Sequence, residues 1–417
     1  MRLGGLWVHR EFLKVWAGQT VSLIGSAVTG LALPLTAVLV LGATPAQMGL
    51  LGAFQGAPVL LLGLVAGVWV DRLPRRPVLI ATDLGLAVLI GSIPLAATLG
   101  LLRMEWLYVV GFLSTSLTFT AGLAAIAFLP ALVGRERLVE GNAKLSLSGS
   151  VAQALGPSLA GGIVQVASAP LALVIDAASY LVSAATLWRV RVDEGQPRAA
   201  VRRPMWAEVR EGFGLVLGDP VLRALQLTAS MGNLFTSTAM VVYVLYVTTE
   251  LGISPATLGL IYGAGSLGGL LGATGVGPCT SRFGVGRTMM GVSILYGVAA
   301  LLVPLAAGPP PVVVAILLVA RFVNGIGNPI FNVTTISLRQ ATAPDHLHGR
   351  VNASARFIAA GSLPMGALLG GFLGEAVGLR PTLFVAGVGV LLAGGWLWTA
   401  PVRSSGAPPT GAVAPAE

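Results

Sequence analysis

Charge is what this chain has least of. Asp, Glu, Lys and Arg make up 10% of its 417 residues, against 55% apolar residues, and the mean hydropathy is +0.86. So few charges exclude a water-soluble domain of this length, which could not cover its surface. There is one cysteine, Cys279. That excludes an internal disulfide and a cysteine zinc centre. No nucleophile–base pair, metal-ligand cluster or phosphate-binding loop is present, and the loops are too short for a catalytic or sensory domain. An enzyme, a resident cofactor and a bound metal are therefore not expected. The net charge of +9 would suit nucleic acid, but its distribution follows membrane topology instead, so no nucleic-acid partner is expected. The 56 glycines suit packed membrane helices, where small residues let backbones approach.

What the chain does have is an internal repeat at an offset of 210 residues. The segment 41–50 returns as 251–260, and the same offset pairs Gly67 with Gly277, Arg72 with Arg282, Pro94 with Pro304, Asn142 with Asn352, Gly156 with Gly366 and Gly161 with Gly371. No gap is needed at any of these pairs. Both copies are apolar almost throughout, so this is a membrane protein of two homologous halves. Parallel duplication of a membrane bundle suits alternating access, in which one half rocks against the other around a site between them.

A bilayer core of ~30 Å takes about 20 apolar residues per helix. Twelve runs meet this, near 15–40, 46–70, 77–99, 106–129, 146–168 and 171–189, then 221–248, 255–279, 288–307, 312–336, 353–377 and 381–400. The first run follows Arg10, Glu11 and Lys14 and is long enough to span, so it is read as a span and not a cleaved signal. Loops from odd to even spans carry only Arg103, Glu105, Glu250, Glu375 and Arg380. The others carry the bulk of the arginines, which places them and both termini in the cytoplasm. The organisation is therefore a six-span half over 1–190, a linker over 191–219, a second six-span half over 220–400 and a disordered tail over 401–417. Within the linker, Met205, Trp206, Val209, Phe213, Val216 and Leu217 recur at helical spacing. They predict a short amphipathic helix lying on the inner membrane surface.

Three motifs stand in these spans. Gly67, Asp71, Arg72, Pro74, Arg75 and Arg76 close span 2 and open span 3. A degraded copy holds Gly277, Ser281, Arg282, Gly284 and Arg287. A carboxylate at a helix end can pair with arginines or cap a neighbouring helix, forming a latch in one state that breaks in another. Anchoring by positive charge alone does not need the Gly and Asp spacing, and the second copy lacks the carboxylate. Span 5 carries Ala152, Gly156, Pro157, Ala160, Gly161 and Gly162, a small-residue stripe suited to close contact with a helix of the other half. Pro157 frees a carbonyl and bends the helix. Span 10 carries Leu317, Arg321, Asn324, Gly325, Gly327 and Asn328.

The first motif resembles the major facilitator superfamily signature G-x-x-x-D-R-x-G-R-R, with Pro74 at a usual glycine. The second is similar to the antiporter motif G-x-x-x-G-P-x-x-G-G of that superfamily's drug exporters, with alanine at two glycine positions. The third is similar to L-x-x-x-R-x-x-Q-G-x-G, which the exporters carry in span 4 and this chain carries in span 10. Residues 12–19, 338–341, 344–345, 349–353 and 370–371 resemble twelve-helix exporters related to macrolide-efflux and enterobactin-export proteins. The resemblance implies an all-α integral membrane protein of the major facilitator fold, with spans 1, 4, 7 and 10 lining a central cavity.

Arg321 lies about ten residues, or ~15 Å, into its span. A charge near the midplane costs at least ~2.5 kcal/mol and normally faces a watery cavity or a partner. Asn324, Asn328, Asn332 and Thr335 extend its stripe. Span 1 adds Gln19, Ser22, Ser26 and Thr29, span 4 adds Ser114, Thr115 and Thr118, and span 7 adds Gln226, Asn233 and Ser237. The expected substrate cavity is therefore Gln19, Ser22, Ser26, Thr118, Gln226, Asn233, Ser237, Arg321, Asn324 and Asn328. Spans 1, 4, 5, 7 and 10 hold no acid at membrane depth. Proton coupling would fall to Asp176 in span 6 or Asp83 in span 3, the latter also able to pair with Arg75 or Arg76.

The expected function is secondary active transport by alternating access. Its leading form is proton-coupled efflux of small amphipathic compounds such as drugs, macrolides or siderophore-like molecules. The alternative is a uniporter or importer of a polar or anionic metabolite, because the planar fork of Arg321 suits carboxylate or phosphate. The expected setting is the inner (plasma) membrane, as a multi-pass monomer whose partners are a small-molecule substrate, the lipid bilayer and protons.

Overall fold

The computed structural model describes residues 5–63, 72–192, 194, 205–344 and 347–399. Among them the backbone is helical, with no strand. The first half gives α1 (Arg10–Leu39), α2 (Pro45–Leu62), α3 (Arg75–Thr98), α4 (Met104–Val133), α5 (Leu138–Val166) and α6 (Ala169–Trp188). The linker gives α7 (Met205–Gly218). The second half gives α8 (Pro220–Leu245), α9 (Pro255–Phe283), α10 (Val285–Leu305), α11 (Pro310–Thr342), α12 (His348–Val377) and α13 (Leu379–Ala393). Each of the twelve expected spans is thus a helix. Among the described residues eleven helices are long and apolar enough to cross a membrane. The twelfth, α5, is 29 residues long but carries Glu140, Asn142, Lys144, four serines and two glutamines. Its composition follows from its neighbours, because α5 packs closely against α1.

The repeat reappears as identical local chemistry. Gly42 and Gly252 take positive φ, +61° and +63°, a conformation glycine adopts without a Cβ penalty. Two residues later Thr44 and Ser254 accept the backbone N–H of Gln47 and Thr257, each at 3.3 Å. Pro45 and Pro255 then occupy the first helical position, where the missing N–H has no intrahelical partner to lose. Gln47 completes a capping box on the Thr44 N–H at 3.0 Å.

Outer faces are apolar. Val88, Ile126 and Val166 are 72%, 76% and 88% exposed, which suits lipid contact and would be untenable in water. Only two ion pairs occur among the described residues, Lys14–Glu11 and Lys144–Glu140, so charge pairing does not hold this fold together.

The chain forms two compact units. The first combines 1–202 with 240–263 and 363–379. The second combines 203–239, 264–362 and 380–417. Compactness therefore does not follow the sequence halves: the parts of α8, α9 and α12 next to the 246–254 and 378 turns cluster with the first half. Within the first unit α6 packs on α1 and α3, and α4 on α2 and α3. Leu6, Phe12, Leu79, Phe128, Leu132, Leu187 and Val190 close one end of it. The 3-10 turn Gly5–Val8 docks there too. The Leu6 N–H donates to Glu140 Oε1 at 2.9 Å, and Lys144 Nζ lies 3.7 Å over the Trp7 ring. The Leu6 N–H foremost, helped by Lys144, holds the Glu140 carboxyl below its ordinary range.

In the second unit α10 packs on α11. Here α7 differs from a helix resting freely on the membrane. Val216 is 1% exposed in a cluster with Leu222, Ala343, Leu347 and Val351. The Phe213 ring meets Phe357 edge-on at 6.2 Å, and Gly212 lies against Ser354 and the Arg350 carbonyl. Of the predicted apolar face of α7, Phe213 and Val216 thus pack on protein while Leu217 is exposed; the side chains of Met205, Trp206 and Val209 lie outside the described residues.

Candidate functional site

In the second unit, the position of Arg321 is set by glycines. Gly265, Gly268 and Gly272 of α9 face the backbone of α11 at Arg321, Phe322 and Ile326, and Gly325 of α11 faces the Gly265 carbonyl. A Cβ at Gly272 would lie 2.8 Å from the Ile326 carbonyl carbon, so only glycine permits this approach. Beyond Arg321 the stripe Asn324, Asn328 and Asn332 continues down α11. Asn328 and Asn332 are exposed and joined by an Nδ2–Oδ1 hydrogen bond of 2.8 Å. Tyr296 of α10 also bonds Asn328. Exposed amides on a membrane helix need water, since lipid offers them nothing. On α8 the Gln226 amide donates to Ser230 at 2.9 Å and the Asn233 amide to the Ala359 carbonyl at 3.2 Å. Ser237 follows one turn on.

In the first unit, Gln19 and Ser22 are half-buried on α1. Ser26 turns toward α6, where its hydroxyl lies 2.8 Å from the Tyr180 hydroxyl. Thr118 of α4 also bonds Tyr180. The structure brings these two together through a residue that hydropathy and motif matching pass over. Asp176 is 1% exposed. Its carboxylate accepts Thr29 Oγ1 at 2.5 Å and Ser179 Oγ at 3.2 Å. Gly25 makes room for it, since a Cβ there would sit 2.6 Å from Asp176 Oδ1. Asp83, 8% exposed, bonds Ser183. No ion pair to Arg75 or Arg76 occurs among the described residues. Asp176, Ser179, Tyr180 and Ser183 fall at helical i, i+3, i+4 and i+7, one face of α6. That spacing is readable in the sequence.

Of the candidate latch, Gly67 and Asp71 lie outside the described residues. Arg72, Arg282 and Arg287 are exposed, and Gly277 has open space where a Cβ would be. Arg75 and Arg76 have other tasks. Their backbone N–H groups donate to Glu194 at 2.6 and 2.8 Å, capping α3 with a carboxylate from across the loop. The Arg76 guanidinium donates to the carbonyls of Leu187 and Trp188 at 2.8 and 2.5 Å, capping the C-terminus of α6. Asp83 therefore does not draw on Arg76.

The antiporter-like stripe of α5 splits between two partners, both inside the first unit. Gly156 lies against Ala27 of α1. Gly161 lies against the Pro255 carbonyl and Gly259 of α9, with a Cβ there 3.0 Å from the Gly259 Cα. Ser158 donates to the Gly259 carbonyl at 3.3 Å, and Ala160 is fully buried. The repeat makes this contact twice. Gly49 of α2 meets Gly371 of α12, with a Cβ at Gly49 only 2.7 Å from the Gly371 Cα, and one at Gly371 2.9 Å from the Pro45 carbonyl. Gly49 corresponds to Gly259, Gly371 to Gly161 and Pro45 to Pro255 at the 210-residue offset.

Known proteins agree with this architecture. A family profile described as "Transmembrane secretion effector" matches residues 7–410. The multidrug efflux pump Tap of Mycolicibacterium fortuitum is 28% identical over 81% of this chain and 83% of its own length. The enterobactin exporter EntS of Salmonella typhimurium is 26% identical over 94% of this chain and 93% of its own. Among solved structures, a bacterial homologue of the iron transporter ferroportin in an inward-facing state superposes with a TM-score of 0.78 at 18% identity, covering 94% of this chain and 98% of that one. The nucleoside transporter NupG gives 0.68 at 15% identity, covering 93% and 98%.

Proposed function

This chain belongs to the transmembrane secretion effector family of major facilitator transporters, and from that premise we propose that it exports small amphipathic compounds in exchange for protons. It is a multi-pass membrane transporter of small molecules, not an enzyme. The export direction is supported by its relatives, a multidrug efflux pump and an enterobactin exporter. Drugs, macrolides and siderophore-like molecules are the substrate classes to try. The observation that carries proton exchange is Asp176, a carboxylate 1% exposed at membrane depth, held by hydroxyls and paired with no cation among the described residues. A carboxyl so placed is kept for gaining and losing a proton.

The working cycle is alternating access between the two homologous halves. Gln19, Ser22, Ser26, Thr118, Gln226, Asn233, Ser237, Arg321, Asn324 and Asn328 are the proposed substrate-facing residues, with Arg321 and the amides after it the polar anchor. Asp71 with Arg72 forms a state-dependent latch, and Arg282 with Arg287 a weaker counterpart, since Ser281 replaces the carboxylate. Arg75 and Arg76 fix the helix ends on which the latch acts. The protein sits in the plasma membrane as a monomer with both termini cytoplasmic.

The test is inside-out vesicles with an acid interior, read by a pH-sensitive dye. Compounds that release protons from vesicles holding the protein, and not from empty ones, are exported substrates. The second reading, carriage of a polar or anionic metabolite, rests on Arg321. Transport of an anion that ignores the pH gradient and fails in Arg321→Ala would replace the first reading with the second.

A further inference from the structure

We propose that Tyr180 relays protons between Asp176 and Asp83 along one face of α6, wholly inside the first half. The proposal rests on the reading of the chain as a proton-coupled transporter and specifies the path. Two contacts converge on the Tyr180 hydroxyl. It lies 2.8 Å from Ser26 Oγ, and Ser26 in turn reaches the Asp176 carboxylate. It bonds Thr118 of α4 from another side. Tyr180 is 6% exposed, and Ser179 and Ser183 on the same face are 4% and 3% exposed. Ser179 also bonds its own helix at the Asp176 carbonyl, as membrane serines commonly do, whereas the Tyr180 hydroxyl is met by groups from α1 and α4.

The far end has an open acceptor. Asp83 Oδ2 is buried without a hydrogen-bond partner, while the Asp83 carboxylate bonds Ser183. Seven residues separate Asp176 from Ser183, or ~10 Å along the helix, with Ser179 and Tyr180 between them on the same face. The step balances. Protonated Asp176 gives its proton to Ser26 Oγ, Ser26 gives its own to Tyr180 Oη, the Tyr180 hydroxyl gives its own to Ser183 one turn on, and Ser183 gives its own to the Asp83 carboxylate that it bonds. Each hydroxyl receives one proton and releases one, so the only net change is that Asp176 is ionised and Asp83 neutral. Of the elements packed on α6, α3 brings a cation, Arg76, and its guanidinium is engaged by the Leu187 and Trp188 carbonyls rather than by either acid. α1 offers Gly25, Ser26 and Thr29, and α4 offers Thr118. No Lys, Arg or His is paired with either acid among the described residues.

Tyr180→Phe removes one oxygen and keeps the ring. In proteoliposomes two quantities separate relay from structure: substrate-driven proton release, and exchange of labelled for unlabelled substrate at equal pH, which needs no net proton movement. Tyr180→Phe is expected to slow proton release ~100-fold, the scale of a lost proton-transfer partner, with exchange unchanged. Ser26→Ala, which leaves Tyr180 in place, is expected to slow release without abolishing it. Proton release at the wild-type rate in Tyr180→Phe overturns the relay while leaving the export reading intact. Wild-type protein that exchanges substrate and releases no proton overturns both. If Tyr180→Phe loses exchange and release together, and Ser26→Ala does nothing to release, the tyrosine is structural and the relay is wrong.

Discussion

A methyl group at Gly49 is the smallest probe of how the two halves meet. Its Cβ would lie 2.7 Å from the Gly371 Cα and 2.8 Å from the Ala367 carbonyl oxygen. Carbon atoms settle near 3.5–4.0 Å, so α2 and α12 must part by about 1 Å, or the methyl must be absorbed as strain. Overpacking of this kind costs about 1–3 kcal/mol. In a transporter that alternates, that cost falls only on the state in which this end is closed, and about 1.4 kcal/mol shifts a two-state balance tenfold. The reporter is Val242→Cys in a Cys279→Ser background. Val242 is fully buried, and a Cβ at Gly374 would lie 2.9 Å from its Cγ1, so cysteine, being smaller, fits without new strain. Labelling by an impermeant maleimide from outside is then gated by opening, and Gly49→Ala should speed it about tenfold. Gly259→Ala makes the pseudo-equivalent clash, against the Pro157 carbonyl, and should act alike. Gly49→Ala with Gly371→Ala should fall short of the product of the single effects, because one separation accommodates both methyls. Unchanged labelling in Gly49→Ala would refute the gating role. An effect in Gly49→Ala with none in Gly259→Ala would refute the equivalence of the two contacts.

Three further outcomes follow from the geometry. Arg321→Ala removes the charge at the head of the α11 amide stripe, and should weaken binding of an anionic or polar-headed substrate by about 1.5–3 kcal/mol, or roughly 10- to 150-fold, in equilibrium binding to purified protein. Gly268→Val puts a branched side chain against the Phe322 carbonyl and should destabilise the α9–α11 pair by about 1–3 kcal/mol, read as a lower Tm in detergent. Glu140 is held below its ordinary range chiefly by the Leu6 N–H. Its depressed folded value means the docking of Gly5–Val8 is fully favoured above the ordinary value of about 4.3. Docking weakens as pH falls through the lower folded value, and Trp7 fluorescence should follow that release and lose the transition in Glu140→Gln.

Much of the fold is legible in the sequence because a bilayer simplifies the rules. Twelve apolar runs are twelve helices. The 210-residue repeat is echoed in the matching turns at Gly42 and Gly252 and in the twin contacts of Gly49 with Gly371 and of Gly259 with Gly161. Those features are backbone chemistry, and backbone chemistry is written in Gly, Pro, Ser and Thr at fixed spacing. Side-chain partners are less legible. Hydropathy says which surface avoids water, not which helix covers it. So the pattern of α7 points to lipid, although Gly212, Phe213 and Val216 pack on protein. The motif groups Arg76 with its neighbours in a latch, although its guanidinium caps α6 through Leu187 and Trp188. Glu194, far off in sequence, gives no signal that it caps α3. The stripe Asp176, Ser179, Tyr180 and Ser183 does give one, but only Asp176 stands out, since single serines in membrane helices usually bond their own backbone.

The repeat also shows where the halves stopped being copies. Gly42, Pro45, Gly49, Gly156 and Gly161 all keep their partners at the 210-residue offset, as Arg72 does in the loop, while the charges inside the spans do not. Asp83 corresponds to Ser293, Asp176 to Ala386 and Tyr180 to Val390, and Arg321 corresponds to Gly111. Duplication preserved the mechanical parts and divided the polar ones, with acids in one half and the deep arginine in the other. If protons are handled by Asp176 and substrate by Arg321, the two sites influence each other through the conformational balance alone. Direct electrostatic pairing would instead make either variant alone nearly as damaging as both, because each single change strands a buried charge. The cycle Asp176→Asn, Arg321→Ala and the double variant separates these cases in substrate binding at fixed pH. Additivity within about 0.5 kcal/mol is expected for sites without shared partners. A coupling of about 2 kcal/mol or more, in the range of residues in contact, would show that acid and arginine act as one site, and that the division of labour between the halves is not real.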